Sequence, residues 1–557
     1  MPLLHFLKRI GGVAVIGAVV LAGCSKAGDG AGAGGNSWTH PGVFTYSENQ
    51  DVKTLNPVLG ASATTGDLSM FIFSYAVRYD ENAKPVPDAV SEIPTVANGD
   101  VSKDGLTLKY KLRHDITFQD GVPLTCKDLK FTWQVVMNPH TNVAATDGYR
   151  DIKDIDCTDP FVAVVHMKRI YAPYLQQLWG VNGNAPILPE HLLGKYLNGP
   201  DSINTAPYNA MPIGSGPFKV VEWQRGTLVR LEAYPKYFRG APKLKEVIFK
   251  IMPDENTEYT QLATHEIDML ARGTGANWPR YQKLAADPKN GLTAIRVDSF
   301  LFDHIDFNLR KPLFQDVAIR RAIAYATNRP EIIAKLYHGS AVLADTDQHP
   351  TLSWAYNPNT VKYPYDPAKA RALLDADGWK VGPDGVRVKN GQRLEFDYST
   401  QTESTNGRAL QTYLQRAWHD VGIQADVKNY PTATMFQNGP AGVLEGGHYD
   451  LAGFAWVAAA DPDDSALYAA HNFGPTGQNT LFWNDPKADA AMADALATLD
   501  QNRRKADYFV VQEQLALDVP TIFISWRKEP YVYNTDLKGY KPSPVISSFW
   551  NPWEYSI

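Results

Sequence analysis

The sequence predicts an α/β protein divided into several domains. Alternating apolar and polar residues between Asp-Gly turns predict paired antiparallel strands in the first quarter of the chain, for example over 106–113. Amphipathic helices alternate with apolar strands in the second half, which is the order expected of an α/β lobe. The length of 557 residues exceeds what one hydrophobic core supports, so two or three domains are expected.

The N-terminus has the pattern of an export signal. Two basic residues precede an apolar run from Ile10 to Ala22, which is too short to span a membrane. The run ends in Leu-Ala-Gly-Cys, and Cys24 resembles the lipobox cysteine of bacterial lipoproteins; the alternative is a plain signal peptide with an incidental cysteine. The resemblance predicts a signal peptide over 1–23 and a protein anchored by lipid outside the cytoplasm, in the periplasm or at the cell surface. Residues 24–37 are small and polar, which favours a flexible tether.

Composition argues against nucleic acid as the partner. The formal net charge is −6 at pH 7, whereas nucleic-acid binding calls for a basic surface. The chain contains no G-x-S-x-G elbow and no H-E-x-x-H motif, and its 13 histidines are scattered. The sequence therefore predicts no metal site and no cofactor.

The remaining cysteines form a pair. With Cys24 assigned to lipid, Cys126 and Cys157 are left in an oxidising compartment that permits a disulfide. The alternative is two buried free thiols. We predict the disulfide, because an even pair in an exported protein seldom stays reduced.

Further elements follow from local signals. Residues 43–48 alternate as a strand, and Thr125 is placed to cap a helix that runs through Trp133. In the second half of the chain the predicted helices cover 316–327, 366–378, 410–419 and 487–499, and the predicted strands cover 423–427 and 451–460.

One long segment has a specific pattern. Residues 102–113 combine a Lys-Asp-Gly turn, a strand and a Leu-Arg pair, and residues 116–125 have the sequence ITFQDGVPLT. Taken with shorter matches in chain order, this segment resembles the family 5 extracellular solute-binding proteins of ABC importers, the peptide- and nickel-binding class. The shorter matches are 54–57 (TLNP), 214–218 (GSGPF), 237–242 (YFRGAP), 265–268 (HEID), 307–309 (FNL) and 317–326 (VAIRRAIAYA).

The resemblance implies a periplasmic-binding-protein-like fold with two lobes, a hinge and an additional inserted domain. Lobe I would be assembled from 38–75, 208–302 and 520–557. The inserted domain II would span 76–207, and lobe III would span 303–519. Two strands that cross between the lobes would form the hinge, and a ligand would be held in the cleft that closes between them.

The best candidate for a ligand-binding segment is WVAAADPDD, which begins at Trp456. Peptide-binding members of the family place an aspartate three residues after the Trp, where it pairs with the free amino group of the ligand; here Ala459 occupies that position. Asp461 either takes over this role or only caps the turn, and Trp456 is either a wall of the cleft or part of the core. If Asp461 takes over the pairing with the ligand, Asp461→Ala weakens ligand binding and leaves the stability of the unliganded protein nearly unchanged.

Three further residues are weaker candidates for ligand contact. Trp179 lies in a loop where family members approach the cleft, and Asn308 follows the predicted crossover. Ser215 belongs to a Gly-Ser-Gly turn that either exposes backbone N–H groups to a ligand or is only a turn. Asp463 and Asp464 are expected to be solvated residues of the acidic turn.

The resemblance implies a monomeric substrate-binding lipoprotein that passes a small solute to an ABC permease without changing it. An oligopeptide is the leading ligand; a peptide with a blocked amino end, a nickel complex, an opine or an oligosaccharide are alternatives. Other classes left open are an accessory lipoprotein without transport and a secreted hydrolase that uses clustered carboxylates such as Asp461 and Asp463.

Overall fold

The computed structural model describes residues 35–60, 62–143, 146–181, 185–198, 202–270, 277–437, 439–475, 477–545 and 548–557. It confirms the α/β class, with helices and several sheets distributed along the chain. The predicted signal peptide and Cys24 lie outside the described residues. Among the helices of the described part, none has the length and apolar character needed to cross a membrane.

The strands are β1 (Val43–Glu48), β2 (Val77–Tyr79), β3 (Pro85–Pro87), β4 (Thr107–Lys111), β5 (Ile152–Asp156), β6 (Val162–Met167), β7 (Phe218–Gln224), β8 (Leu228–Ala233), β9 (Glu246–Ile251), β10 (Leu292–Phe307), β11 (Ala341–Leu343), β12 (Lys380–Val381), β13 (Arg387–Lys389), β14 (Gln392–Arg393), β15 (Glu395–Ser399), β16 (Gln424–Val427), β17 (Leu451–Val457) and β18 (Thr521–Asn534). The α-helices are α1 (Ala63–Ile72), α2 (Cys126–Met137), α3 (Tyr174–Gln177), α4 (Glu190–Leu197), α5 (Glu255–Ala263), α6 (Trp278–Ala286), α7 (Pro312–Gln315), α8 (Val317–Ala326), α9 (Arg329–Lys335), α10 (Pro367–Ala376), α11 (Thr405–His419), α12 (Thr432–Met435), α13 (Ser465–Tyr468), α14 (Pro486–Leu496) and α15 (Gln501–Asp518).

Helices α2 and α10 begin where the sequence predicts, because their caps are local. The backbone N–H of Thr125 donates to the carboxylate of Asp128 at 2.8 Å, as part of a capping box. Asp366 accepts from the first turn of α10, in which Pro367 is the first residue. Gly378 follows this helix with φ 90°, a conformation that favours glycine.

The N-terminal sheet has the order β1-β9-β8-β7, in which β1 and β9 are parallel and the other pairs antiparallel. Phe44 and Tyr46 of β1 point into its core and are fully buried. This core is continuous with that of the small sheet, β4-β6-β5, so the two regions pack as one body.

The predicted disulfide between Cys126 and Cys157 is confirmed. Cys126 is the first residue of α2, and Cys157 directly follows β5, so the bond ties the helix to the edge of the small sheet. The two Cα atoms are 5.5 Å apart.

The central sheet has the order β11-β18-β10-β17-β15-β16. Helices α8, α10 and α11 cover one face and bury an apolar cluster that includes Phe307, Leu414 and Trp418. Helices α13, α14 and α15 lie over part of the other face, where Phe302 and Trp526 are buried. The candidate site lies on the remainder of this second face, where Ala452 and Phe454 of β17 pack against Met435 and Leu444.

Strands β10 and β18 pair along most of their length and belong to two regions at once. Residues 292–298 pair with 528–534, and residues 302–306 pair with 521–526, with an irregular stretch between the two blocks. The first block packs against α6, and the second lies in the middle of the central sheet.

Candidate ligand-binding site

A cavity of about 230 Å³ lies against the second face of the central sheet. Its walls are aromatic and aliphatic, formed by Phe436, Phe454, Trp456, Tyr468, Leu467 and Leu481. A few polar groups interrupt these walls, which is the usual composition of a small-molecule site.

The pleat of two neighbouring strands decides which side chains line this cavity. Successive residues of a strand point to opposite faces, so Phe454 and Trp456 of β17 share one face. In the antiparallel register, His304 of β10 lies opposite Phe454, and Asp306 lies opposite Ala452. The His and the Asp therefore point to the same side as the two aromatic rings.

His304 and Asp306 form a buried pair at the wall of the cavity. The Nδ1 atom of His304 lies 2.7 Å from Oδ1 of Asp306, and their side chains are only 7% and 3% exposed. The ring of Phe454 packs edge-on against the imidazole, with centroids 4.3 Å apart. Sequence reasoning missed this pair, although its His-Ile-Asp spacing in a strand already places both side chains on one face.

Trp456 lies in the cavity wall, half-buried, near the end of β17. Its ring is 6.4 Å from that of Phe454, and the next residue, Val457, is half exposed on the opposite face. This position favours the cleft-wall alternative over simple core packing, and ligand contact by Trp456 remains a prediction.

Asp461 lies in a contact between two regions of the molecule. Its backbone N–H donates to Oε1 of Gln176, in α3, at 2.6 Å. Its carboxylate pairs with the buried guanidinium of Arg504, in α15. Burial raises the pKa of Asp461, and Arg504 acts in the opposite direction. Because the carboxylate of Asp461 is already paired with Arg504, this geometry favours a structural role for Asp461. Ligand contact by Asp461 stays a prediction.

The expectation of a solvated turn is wrong for Asp464. This residue is only 8% exposed, because the turn packs against the loop that carries Asp347 and Gln348. Burial raises the pKa of Asp464 well above its usual range, and the neighbouring carboxylate of Asp347 raises it further. Asp463 is intermediate in exposure and accepts hydrogen bonds from Ser465.

Trp179 is fully buried in the core beneath the small sheet. Its indole N–H donates to the carbonyl of Leu129 at 3.0 Å, and its ring packs edge-on against Tyr110 and Tyr149. The side chain has no exposed surface through which to contact a ligand in this structure, so its placement favours packing.

Asn308 and Ser215 are also fully buried. The side-chain amide of Asn308 donates to the carbonyls of Gly447 and Tyr449, at 3.0 and 2.8 Å. Ser215 accepts from the backbone N–H of Ser74 at 3.3 Å. Both side chains satisfy backbone groups of the interior, which favours the structural alternatives, and neither lines the cavity.

In the part of the chain that the structure describes, no group of three or more His, Cys, Asp or Glu residues is arranged to hold a metal ion.

The sequence of this chain is similar to a known protein family and to individual characterised proteins. The profile of the bacterial extracellular solute-binding proteins, family 5 Middle, matches residues 84–478. The oligopeptide-binding protein AppA of Bacillus subtilis is 25% identical over 495 residues, which covers 88% of this chain and 87% of that protein. The glutathione-binding protein GsiB of Salmonella typhimurium is 27% identical over 453 residues, which covers 79% of this chain and 81% of that protein.

Solved structures show the same fold. NikZ from Campylobacter jejuni, in complex with Ni(L-His), is 26% identical with a TM-score of 0.78, and the match covers 93% of this chain and 100% of that one. AppA from Bacillus subtilis, in complex with a nonapeptide, is 23% identical with a TM-score of 0.76, and the match covers 93% and 99% of the two chains.

Proposed function

The chain belongs to the bacterial extracellular solute-binding proteins, family 5, and on this premise we propose that it is the substrate-binding lipoprotein of an ABC importer. It captures an oligopeptide outside the cytoplasm and delivers it, chemically unaltered, to a membrane permease. It needs no cofactor and catalyses no reaction.

The cavity beside Trp456 is the observation that carries this proposal. Its mixture of aromatic walls with a few polar groups suits an amphipathic solute such as a peptide with apolar side chains, whose backbone forms hydrogen bonds. The names of two relatives support the same ligand class, since AppA is described as oligopeptide-binding and GsiB as glutathione-binding.

The proposed division into lobes follows the sheets. Lobe I (38–75, 208–302 and 520–557) holds the N-terminal sheet, domain II (76–207) holds the small sheet, and lobe III (303–519) holds most of the central sheet. Strands β10 and β18 are the proposed hinge, because they alone among the described strands run from the α6 region into the central sheet. The hydrogen bond from Asp461 to Gln176 then joins lobe III to domain II.

The anchor is proposed at Cys24, with 24–37 as the tether. The support is the Leu-Ala-Gly-Cys pattern after a short apolar run. Lipid at this cysteine keeps the binding protein close to its permease.

Ala459 is the reason for a second candidate ligand class. It stands three residues after Trp456, where peptide-binding members of the family have an aspartate. The similar structure of NikZ holds a nickel–histidine complex, so a metal complex is the second candidate ligand.

The test begins with native mass spectrometry of protein purified from its own host, which reports the mass of any bound solute. Calorimetry with a peptide library and with nickel–histidine then gives affinities, and product analysis by mass spectrometry checks whether the solute is altered. We expect peptide binding without chemical change. Absence of binding by every peptide, or a chemically altered solute, would overturn the proposal.

Trp456→Ala supplies the site-specific arm of this test. Loss of an aromatic wall is expected to weaken peptide binding roughly tenfold or more. The matched control is Trp223→Ala, because Trp223 is similarly half-buried but lies on β7 of the N-terminal sheet. Equal affinity in wild type and Trp456→Ala would remove this cavity from the binding site.

A further inference from the structure

The wall of the cavity beside Trp456 is acidic, and among the described residues it contains no lysine or arginine. Three of its residues can carry a charge: His304, Asp306 and Glu445. His304 and Asp306 contact each other, with Nδ1 2.7 Å from Oδ1, so the pair sums to zero with a charged ring and to −1 with a neutral ring. Glu445 adds a further negative charge. The wall is therefore negative in either protonation state of His304.

Glu445 is the accessible carboxylate of this wall. The residue is partly exposed, in the loop between α12 and β17, and its Oε2 accepts a hydrogen bond from the backbone N–H of Gly439 at 2.5 Å. That contact positions the carboxylate without saturating it, because an ionised carboxylate has about four acceptor sites. Asp306, whose side chain is only 3% exposed, acts on the cavity through its charge and not by contact.

The arginine in the neighbouring loop is engaged elsewhere. The guanidinium of Arg310 lies over the ring of Phe482, 3.6 Å from its centroid, and donates to the carbonyl of Gly474 at 3.3 Å. Arg310 does not line the cavity. The negative charge of the wall is thus left for a group that enters from outside.

The aromatic rings of the wall meet at steep angles. Phe436 and Phe454 have centroids 5.5 Å apart at an interplanar angle of 84°, and Phe454 and Trp456 have centroids 6.4 Å apart at 75°. Rings set nearly at right angles form adjoining walls and not a flat stack. The electron-rich faces of aromatic rings attract organic cations, and aromatic cages bind quaternary ammonium groups. Rings and carboxylates therefore favour the same sign of charge.

We propose that this cavity receives a cationic group of the ligand, an ammonium or a guanidinium, held between the carboxylate of Glu445 and the aromatic walls. The inference rests on the proposed function, because it names the part of a captured peptide that the cavity selects. A cavity of about 150 Å³ is known to hold a benzene ring, so one of about 230 Å³ has room for either cation.

Matched probe pairs that differ in charge and little in shape test this directly. Calorimetry on the full mature protein compares choline with 3,3-dimethylbutan-1-ol, and Ala-Arg-Ala with Ala-citrulline-Ala. A third pair is Ala-Ala-Ala and its N-acetylated form. We expect choline, and the charged member of at least one peptide pair, to bind roughly tenfold more tightly than the neutral member. Equal binding within all three pairs would overturn the inference.

The peptide pairs also distinguish two sources of the cation. A preference for arginine over citrulline places a side chain of the peptide in the cavity. A loss of affinity on acetylation places the amino end there. Both results support a cation site, whereas tighter binding of the neutral members would contradict it.

Glu445→Gln locates the effect at this wall. The amide keeps an oxygen for the N–H of Gly439 and removes the charge, so the preference for choline over the alcohol is expected to fall roughly tenfold. The matched control is Glu232→Gln, which makes the same charge change at a partly exposed position of β8 and is expected to leave the preference intact. Equal effects of the two variants would show that only the net charge of the protein matters.

Phe436→Leu tests the aromatic part of the site. Leucine stays apolar but has no aromatic face, so choline binding is expected to weaken several-fold while binding of 3,3-dimethylbutan-1-ol changes little. Thermal melting shows whether each variant is folded, and Phe436→Leu keeps the test decisive if Glu445→Gln is not. An unchanged preference for choline in folded Phe436→Leu and Glu445→Gln would overturn the inference.

The outcomes separate the two proposals. If choline is preferred over the alcohol but no peptide binds, the cation site stands and oligopeptide capture fails. If peptides bind and no pair shows a preference for the charged member, oligopeptide capture stands and the cation site fails.

Discussion

Asp347 and Asp464 lie together in the interior, and both accept a hydrogen bond from Nε2 of Gln348, at 3.1 and 2.8 Å. They are only 3% and 8% exposed. Burial raises the pKa of Asp347 from 3.8 to about 6, and it raises the pKa of Asp464 well above its usual range. Two carboxylates in one buried site cannot both ionise without cost, so the pair retains a proton at mildly acidic pH.

Asp464→Asn is expected to stabilise the protein at pH 8 and to have little effect near pH 4. A carboxyl whose pKa is higher in the folded state binds protons preferentially there, so stability falls as pH rises from about 4 through 6. The amide removes one charge and supplies a donor where the shared proton would be. The expected gain is on the order of 1–3 kcal/mol at pH 8, measured by urea unfolding at both pH values.

Asp494→Asn, at an exposed position of α14, is the matched control for this charge change. It is expected to change stability little at either pH. A stability difference between wild type and Asp464→Asn that is the same at pH 4 and at pH 8 would contradict the assignment of a raised pKa to this residue.

Asp461→Ala is expected to destabilise the unliganded protein by about 3–5 kcal/mol, because it leaves the buried charge of Arg504 without its partner. This revises the stability part of the sequence-based prediction. The measurement is chemical unfolding without ligand, followed by calorimetry with peptide on the folded variant.

A double-mutant cycle provides the control. Asp461→Ala with Arg504→Met removes both charges and is expected to recover most of the lost stability. Asp463→Ala, two residues away, removes a carboxylate whose hydrogen bonds come from Ser465 and is expected to cost under about 1 kcal/mol. Equal losses in Asp461→Ala and Asp463→Ala would show that the ion pair contributes nothing specific.

Replacing Cys126 and Cys157 by serine is expected to cost about 3–4 kcal/mol of unfolding free energy. The bond closes a loop with a sequence separation of 31 residues. Its loss raises the conformational entropy of the unfolded chain and so favours unfolding. Wild-type protein reduced with dithiothreitol should match the double serine variant. Two titratable thiols in the denatured, unreduced protein would refute the disulfide.

Cys24→Ala is expected to release the protein from the membrane fraction, because the lipid acceptor is lost. The measurement is fractionation of the native host together with labelling by an alkyne fatty acid. Retention of both the label and the membrane association in Cys24→Ala would refute anchoring at this residue.

Features decided by near neighbours in the sequence were predictable. The caps at Thr125 and Asp366 depend on groups within three residues, and both helices begin where the sequence predicts. The alternation that gives β17 also places Phe454 and Trp456 on one face, and the strand ends at Val457, earlier than the predicted 451–460.

The sequence by itself determined the α/β class, the family and the pairing of Cys126 with Cys157, because each follows from local patterns or from the count of residues. Tertiary structure alone decided which acidic side chains are buried and what they contact. Asp464 meets Gln348 across 116 positions, and Asp461 meets Arg504 across 43. Whether an acidic side chain is buried, and which charge it meets, depends on such distant contacts. For this reason a turn that is polar in sequence lies buried in the fold, and a His-x-Asp pair in a strand lines a cavity.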